Sequence, residues 1–215
     1  MRIAVLGTGQ VGTTLASGWV RTGHEVRLGS RTADNAAAAA WAAEQGGRHG
    51  SFADVAAWGE VVVNATGGLV SLEALTSAGA ENLEGKVLLD VANPLDFSAG
   101  FPPTVRQVDG FSLGEQIQRA FPTARVIKTL NTVNAAVMVD PRSLPGAHSV
   151  FVAGDDAAAK DLARELLVGL GWAPEEVVDA GGITAARGLE LYLALWLTLM
   201  GSLGTPSFNI HVVRD

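Results

Sequence analysis

Cysteine is absent from the 215 residues, which excludes disulfide frameworks, thiolate nucleophiles and Cys-based zinc sites. Positive charge is scarce: 15 Lys and Arg stand against 22 Asp and Glu, a formal net charge of −7. That balance argues against nucleic acid as the main partner, because phosphate binding needs a concentrated basic surface. Long hydrophobic runs are lacking too. The longest, Leu191 to Leu203, falls short of the ~20 residues that span a bilayer. No charged n-region or apolar h-region precedes the run Arg2-Ile3-Ala4-Val5-Leu6. The expectation is a soluble, cytoplasmic protein without a membrane partner. The only histidines, His24, His49, His148 and His211, stand near strands or in the tail, where structural or solvated roles suffice. Asp155 and Asp156 lie between a strand and a helix, where capping explains them, and no metal is expected.

What is present is a globular composition, 48% hydrophobic, enough to bury a sizeable core. Short β-branched runs alternate with helical patterns, as in a parallel sheet wrapped by helices. Strands are predicted over 3–6, 25–28, 48–51, 60–64, 86–91, 125–129, 149–153 and 177–179. Helices are predicted over 11–22, 34–45, 54–58, 69–78, 113–120, 157–170 and 184–200. Asp34 or Thr32 is expected to cap the Ala-rich second helix. A loop without regular structure is expected from Asn93 to Gly110. The fold class is therefore α/β: a Rossmann, doubly wound, mostly parallel sheet over residues 1–180. A small helical extension and tail occupy 181–215, where they would serve dimerisation and wall the substrate site.

The first strand breaks at Gly7-Thr8-Gly9-Gln10-Val11-Gly12, and a helix begins inside that segment. A G-x-G-x-x-G run in this context is a dinucleotide-binding signature. Gly7 permits the tight turn, Gly9 lets the backbone approach a pyrophosphate, and Gly12 lets the helix pack closely. The free N–H groups of the helix N-terminus then face the anion. At the end of the second strand an NAD binder carries a carboxylate for the ribose 2′-hydroxyl. This chain has Gly29-Ser30-Arg31-Thr32 there instead. Arg31 is suited to a 2′-phosphate, with the Ser30 and Thr32 hydroxyls as donors, so NADP is preferred over NAD.

In an open α/β sheet the ligand lies outside the carboxyl ends of the strands. Asn64-Ala65-Thr66-Gly67-Gly68, Asn93-Pro94 and Asn131-Thr132 end three strands there, and Thr66, Gly67 and Asn93 are candidate cofactor contacts. Asn93 and Asn131 are also the candidate catalytic residues, equally explicable as turn formers, whereas Asn134 reads as a turn residue. Hydride transfer between two bound cofactors needs alignment more than acid–base groups. Arg187 and Glu190, three apart on the last helix, are expected to form a surface ion pair. Leu191, Leu195, Trp196 and Leu199 are expected in the core or a dimer interface. Phe97 and Phe101 would cover a planar substrate or pin their loop.

The glycine loop, Gly23-His24-Glu25-Val26 leading into Gly29-Ser30-Arg31, Gly154-Asp155-Asp156 and Asp179-Ala180-Gly181 together resemble the F420-dependent NADP oxidoreductases. That family passes hydride between NADPH and the deazaflavin coenzyme F420. The resemblance covers most of the chain. It implies an oxidoreductase and a homodimer formed through the C-terminal part, with Thr8, Ser30 and Arg31 at positions that contact the 2′-phosphate. Two departures accompany it: Ala33-Asp34-Asn35 stands where a further basic residue usually assists, and Asn131 where deazaflavin-using members have His. A flavin, ferric chelate, imine or carbonyl remain alternative small-molecule acceptors, and a non-catalytic NADP sensor remains the alternative from another class.

Overall fold

In the computed structural model, which describes residues 1–107 and 110–213, the chain alternates strands and helices from its first residues. They are β1 (Arg2–Leu6), α1 (Gln10–Arg21), β2 (Glu25–Ser30), α2 (Ala36–Gln45), β3 (Arg48–Ser51), α3 (Phe52–Trp58) and β4 (Val61–Asn64). Then come α4 (Ser71–Ala78), α5 (Ala80–Leu83), β5 (Val87–Asp90), β6 (Leu95–Asp96), β7 (Thr104–Val105), α6 (Leu113–Ala120) and β8 (Arg125–Thr129). The remainder is α7 (Ala135–Val139), β9 (Val150–Ala153), α8 (Ala157–Gly169), β10 (Val177–Gly181) and α9 (Ala186–Leu203).

Eight strands form one sheet in the order β10-β9-β8-β5-β4-β1-β2-β3, parallel throughout except between β8 and β9. The last six strands of that order reproduce the Rossmann arrangement, with the order reversing between β1 and β4. The Val-Val-Val run of β4 and the Val-Leu-Leu run of β5 are buried throughout because helices cover both faces. One core layer joins Trp19 of α1, Trp41 of α2 and Leu166 of α8 to Val5 and Val63; the other joins Val55 of α3, Leu75 of α4 and Ile117 of α6 to Leu6 and Val62. Trp19 and Trp172 are fully buried, and truncating such a side chain to Ala costs about 3–5 kcal/mol.

The predicted elements are all present, with local differences that have physical causes. Asn35, not Asp34 or Thr32, caps α2: its Oδ1 accepts the Ala38 N–H at 3.0 Å, and the helix starts at Ala36, two residues after the predicted bound at 34. The 93–110 segment is not wholly irregular, since β6 and β7 pair antiparallel within it; its residues 108 and 109 lie outside the described residues. Two short helices, α5 and α7, appear where pattern alone was too brief to mark them.

The last helix differs most from expectation. Together with the turn before it, it runs 21 residues from Ile183 to Leu203 with mean hydropathy 1.3, long and apolar enough to cross a bilayer by length and composition. Only its first half is seated in the protein, through Ala186, Leu189, Glu190 and Leu193. Leu191 and Leu195 are about half exposed, so the described chain does not place them in its core. After the helix the chain folds back, stacking Phe208 on Trp196 and bonding Ser149 N–H to the Ile210 carbonyl at 2.8 Å.

Candidate functional site

The glycine loop between β1 and α1 lies at the switch point of the sheet, and its geometry tolerates little but glycine. Gly7 has φ +119°, a left-handed conformation that side chains rarely adopt, and a Cβ there would stand 2.4 Å from the Ala65 carbonyl oxygen. A Cβ on Gly12 would stand 2.1 Å from the Gly7 carbonyl oxygen. Gly9 is the opposite case: nothing lies within 4 Å of the corresponding position, so its backbone faces open space. Gly9 also starts α1 without a side-chain cap, which leaves the first N–H groups of that helix free for an anion.

A cleft of about 530 Å³ opens in front of this loop, lined by Gly7, Thr8, Gly9, Ser30, Arg31 and Thr66 among others. Arg31 is exposed, and it makes no ion pair among the described residues. Asn35 and Glu73 line the same cleft and were not expected there. The Ser30 hydroxyl donates to the Thr32 carbonyl at 2.6 Å and closes the turn that presents Arg31. Thr32 itself is exposed and is not among the residues lining the cleft.

A second cleft, of about 330 Å³, meets the first at Ala65, Thr66 and Gly67. Gln10, Val11, Asn93, Phe97, Asn131, Thr132 and Trp196 are among its lining, whereas Gly12 is buried against Gly7. A Cβ on Gly68 would stand 2.2 Å from the Asn93 carbonyl oxygen, so the loops after β4 and β5 meet backbone to backbone. Asn93 and Asn131 lie side by side: Asn131 Nδ2 donates to Asn93 Oδ1 at 2.9 Å and to the Leu189 carbonyl at 3.0 Å. Leu130 precedes Asn131 at φ +60°, a strained left-handed turn for a branched residue, and its side chain is buried. Asn134 caps α7 through the Ala136 N–H, as its turn reading implied.

Beneath the meeting point of the clefts lies a polar cluster that the sequence did not announce. Asn64, Asp90 and Lys128 are register partners across β4, β5 and β8, and all three are buried. Lys128 Nζ donates to Asp90 Oδ2 at 2.9 Å and to the Ala92 carbonyl, and it pairs with Glu190 Oε1 at 2.9 Å. Burial alone would lower the Lys128 ammonium, but the Asp90 and Glu190 carboxylates outweigh that and hold it above its ordinary value. Asn64 Nδ2 donates to Asp90 Oδ1 at 2.8 Å, while Asn64 Oδ1 accepts the Thr66 hydroxyl at 2.7 Å.

Arg187 and Glu190 do not pair with each other as expected. Glu190 turns inward to Lys128 and to the Leu113 and Gly114 N–H groups at 2.8 and 3.1 Å. Arg187 reaches across to α6 and binds Glu115 through two hydrogen bonds of 2.7 and 2.6 Å. That bidentate bond, with the Ser112 N–H and hydroxyl, holds the Glu115 carboxyl at about 2 against an ordinary 4.5, overcoming the opposing effect of burial. Asp156 caps α8 as expected, whereas Asp155 does not: it accepts the Ile183 N–H at 2.9 Å and ties the turn before α9 to the end of β9. No group of acidic and His side chains arranged for a metal occurs among the described residues.

The strand order, with a glycine loop and a free helix N-terminus at its switch point, defines a Rossmann-type dinucleotide-binding protein. Residues 2–94 match the family described as NADP oxidoreductase, coenzyme F420-dependent. The chain is 32% identical to the F420-dependent NADP reductase of Methanothermobacter marburgensis over 211 residues, covering 93% of this chain and 92% of that one. It is 29% identical to the metalloreductase STEAP3 of Rattus norvegicus over 212 residues, 96% of this chain but only 38% of the rat protein's length. A crystal structure from Arthrobacter sp. FB24, assigned provisionally as an F420-dependent NADP reductase, shares 54% identity at TM-score 0.93 with full coverage of both chains. The chain belongs to the F420-dependent NADP oxidoreductase family. Its likeness to an imine reductase of Myxococcus stipitatus, at 17% identity and TM-score 0.66 over 94% of this chain and 63% of that one, shows a shared fold.

Proposed function

We propose that this chain is an NADPH-dependent oxidoreductase that passes hydride between NADP(H) and a planar acceptor, and that the acceptor is coenzyme F420. The observation that carries the reading is the pair of clefts meeting at Ala65, Thr66 and Gly67. The lining of the first supports its reading as a dinucleotide site, and the apolar walls of the second support its reading as a site for a flat ring system.

The residues present fit the cofactor. Gly9 offers open backbone, α1 offers free N–H groups to the pyrophosphate, and Arg31 offers an unpaired guanidinium to a 2′-phosphate. When bound, NADPH supplies the hydride. The protein's own part is to hold and align. Asn93 and Asn131 carry no transferable proton, so their contribution is orientation at the second cleft, with Phe97 and Trp196 as apolar walls. The described residues that line the second cleft include no acid–base side chain, which suits transfer between two ring systems better than reduction of a carbonyl or imine, which requires a proton donor. The family membership and the reductase from Methanothermobacter marburgensis support the choice of F420.

The chain is further proposed to divide at about residue 180 into a cofactor-binding part and a C-terminal part that walls the second cleft. Through the exposed face of α9, that second part would pair two copies.

The test is an anaerobic assay with NADPH and oxidised F420, following loss of deazaflavin absorbance, with NADH as control. Bleaching with NADPH alone is the expected result. Tight NADPH binding without turnover of F420, flavin, ferric chelate, imine or carbonyl would replace the enzyme with a sensor of the NADP pool.

A further inference from the structure

We infer that Lys128 is the positioning residue that keeps the two clefts in register, by tying the loops of both to one buried ammonium. The inference deepens the function proposed above and depends on it only for its catalytic consequence. Lys128 Nζ is fully buried and spends its donors on three different segments: Asp90 at the end of β5, the Ala92 carbonyl in the loop that carries Asn93, and Glu190 on α9. Each of these partners leads to a cleft wall: Ala92 lines the second cleft itself, and the other two reach a wall through a neighbouring residue. Asp90 Oδ1 accepts from Asn64, and Asn64 Oδ1 holds both the N–H and the hydroxyl of Thr66, in the stretch where the two clefts meet. Glu190 follows Leu189, whose carbonyl accepts from Asn131 Nδ2. Lys128 itself lies three residues before Asn131 on the same strand and loop.

A purely structural role would not require this arrangement. One cation between two carboxylates leaves an uneven charge in an interior where an apolar cluster of similar volume serves stability as well or better. What the ions add is direction: fixed donors and acceptors at set distances hold loops that also meet backbone to backbone, as Gly68 does against Asn93. Alignment of two bound rings is the element of hydride transfer the protein must supply, so a rigid tie between the two loop sets is where this chain supplies it.

Lys128→Met alone leaves two buried carboxylates without their cation and is expected to fold poorly. The informative protein is the triple variant Lys128→Met, Asp90→Asn, Glu190→Gln, which removes all three charges with little change in volume. Two readouts precede any assay of turnover: amide hydrogen exchange of 64–68 and 91–93 in the free protein, and emission anisotropy of bound NADPH. The triple variant is expected to bind NADPH within about threefold of the parent. Exchange at both loops should rise tenfold or more, with lower anisotropy, and turnover should fall at least tenfold at an unchanged KM for NADPH. A triple variant with parental exchange at both loops and parental anisotropy overturns the inference. Should the triple variant not fold, Glu190→Gln decides: it keeps the Lys128–Asp90 pair, so exchange should rise around 113–114 and 131 while 64–68 stays protected. A uniform rise across the chain instead overturns it. If the parent protein does not bind NADPH, the function proposed above falls, while the exchange comparison still stands or fails by itself.

Discussion

Asn93 and Asn131, 38 residues apart, are bonded twice at the second cleft: Asn131 Nδ2 donates to Asn93 Oδ1, and Asn93 Nδ2 donates to the main-chain carbonyl of Asn131 at 2.7 Å. Both amides are thereby immobilised, and only Asn131 Oδ1 is left without a partner among the described residues. Asn131→Ala should remove the Nδ2 bonds to Asn93 and to the Leu189 carbonyl, and leave Asn93 held only by the main-chain carbonyl at 131. It should lower the rate of hydride transfer tenfold or more while the Kd for NADPH changes little, as stopped-flow reduction would record. Parental kinetics in that variant would reduce the clasp to turn structure.

Among the described residues Arg31 has no partner to lose, so Arg31→Ala should leave the melting temperature unchanged. A charge-assisted bond to a phosphate is worth about 1.5–3 kcal/mol. NADPH affinity should therefore drop roughly 10- to 100-fold while NADH affinity hardly moves. Calorimetric titration with the two nucleotides measures both, and equal losses would remove the 2′-phosphate assignment.

Gly12→Ala places a methyl group 2.1 Å from the Gly7 carbonyl, which the rigid turn cannot absorb. Overpacking of this kind costs about 1–3 kcal/mol, and it displaces the Gly7–Gly9 backbone from the cleft. The expected result is a lower melting temperature together with a loss of NADPH binding larger than that loss of stability explains. Unaltered binding would show that the loop does not carry the pyrophosphate.

Thr132 lines the second cleft with a buried hydroxyl that has no hydrogen-bond partner among the described residues. An unsatisfied buried polar group is a cost, so Thr132→Val should leave stability unchanged or raise it by about 1 kcal/mol. If the hydroxyl meets the acceptor, KM for that acceptor should rise while KM for NADPH stays constant. A fall in thermal stability would mean that the hydroxyl is already bonded in the free protein.

Acid sensitivity should report the Glu115–Arg187 bond between α6 and α9. A carboxyl depressed from 4.5 to about 2 contributes stability that is fully present above about 4.5 and lost as pH falls toward 2. Glu115→Gln should flatten the decline of melting temperature between about pH 4.5 and 2, the window those two values set. An identical decline in parent and variant would show that the pairing carries no linkage.

What the sequence determined by itself is the part of this protein in which a local pattern has a local cause. Buried parallel strands need continuous apolar runs, so Ile3 to Leu6 and Val61 to Val63 were legible one by one. A glycine loop opening a helix marks a candidate anion site without knowledge of any distant residue, and the missing carboxylate after β2 made Arg31 a candidate in the same way. Capping at α2 was misplaced by one residue because Asp34 and Asn35 are both good caps, and only the direction of the chain leaving β2 selects between them.

Tertiary structure alone decided everything that depends on residues far apart in the chain. Lys128 reads as one polar residue in an apolar strand until parallel register sets it beside Asp90, and Asp90 beside Asn64. Glu190 looked like the neighbour of Arg187 on a helix surface, since three residues' spacing permits that pair. It turned inward because the Lys128 ammonium and two N–H groups of α6 offered it more than a solvated guanidinium could. Burial strengthens electrostatic preference, and burial is a property of the assembled sheet and helices, not of any segment within them.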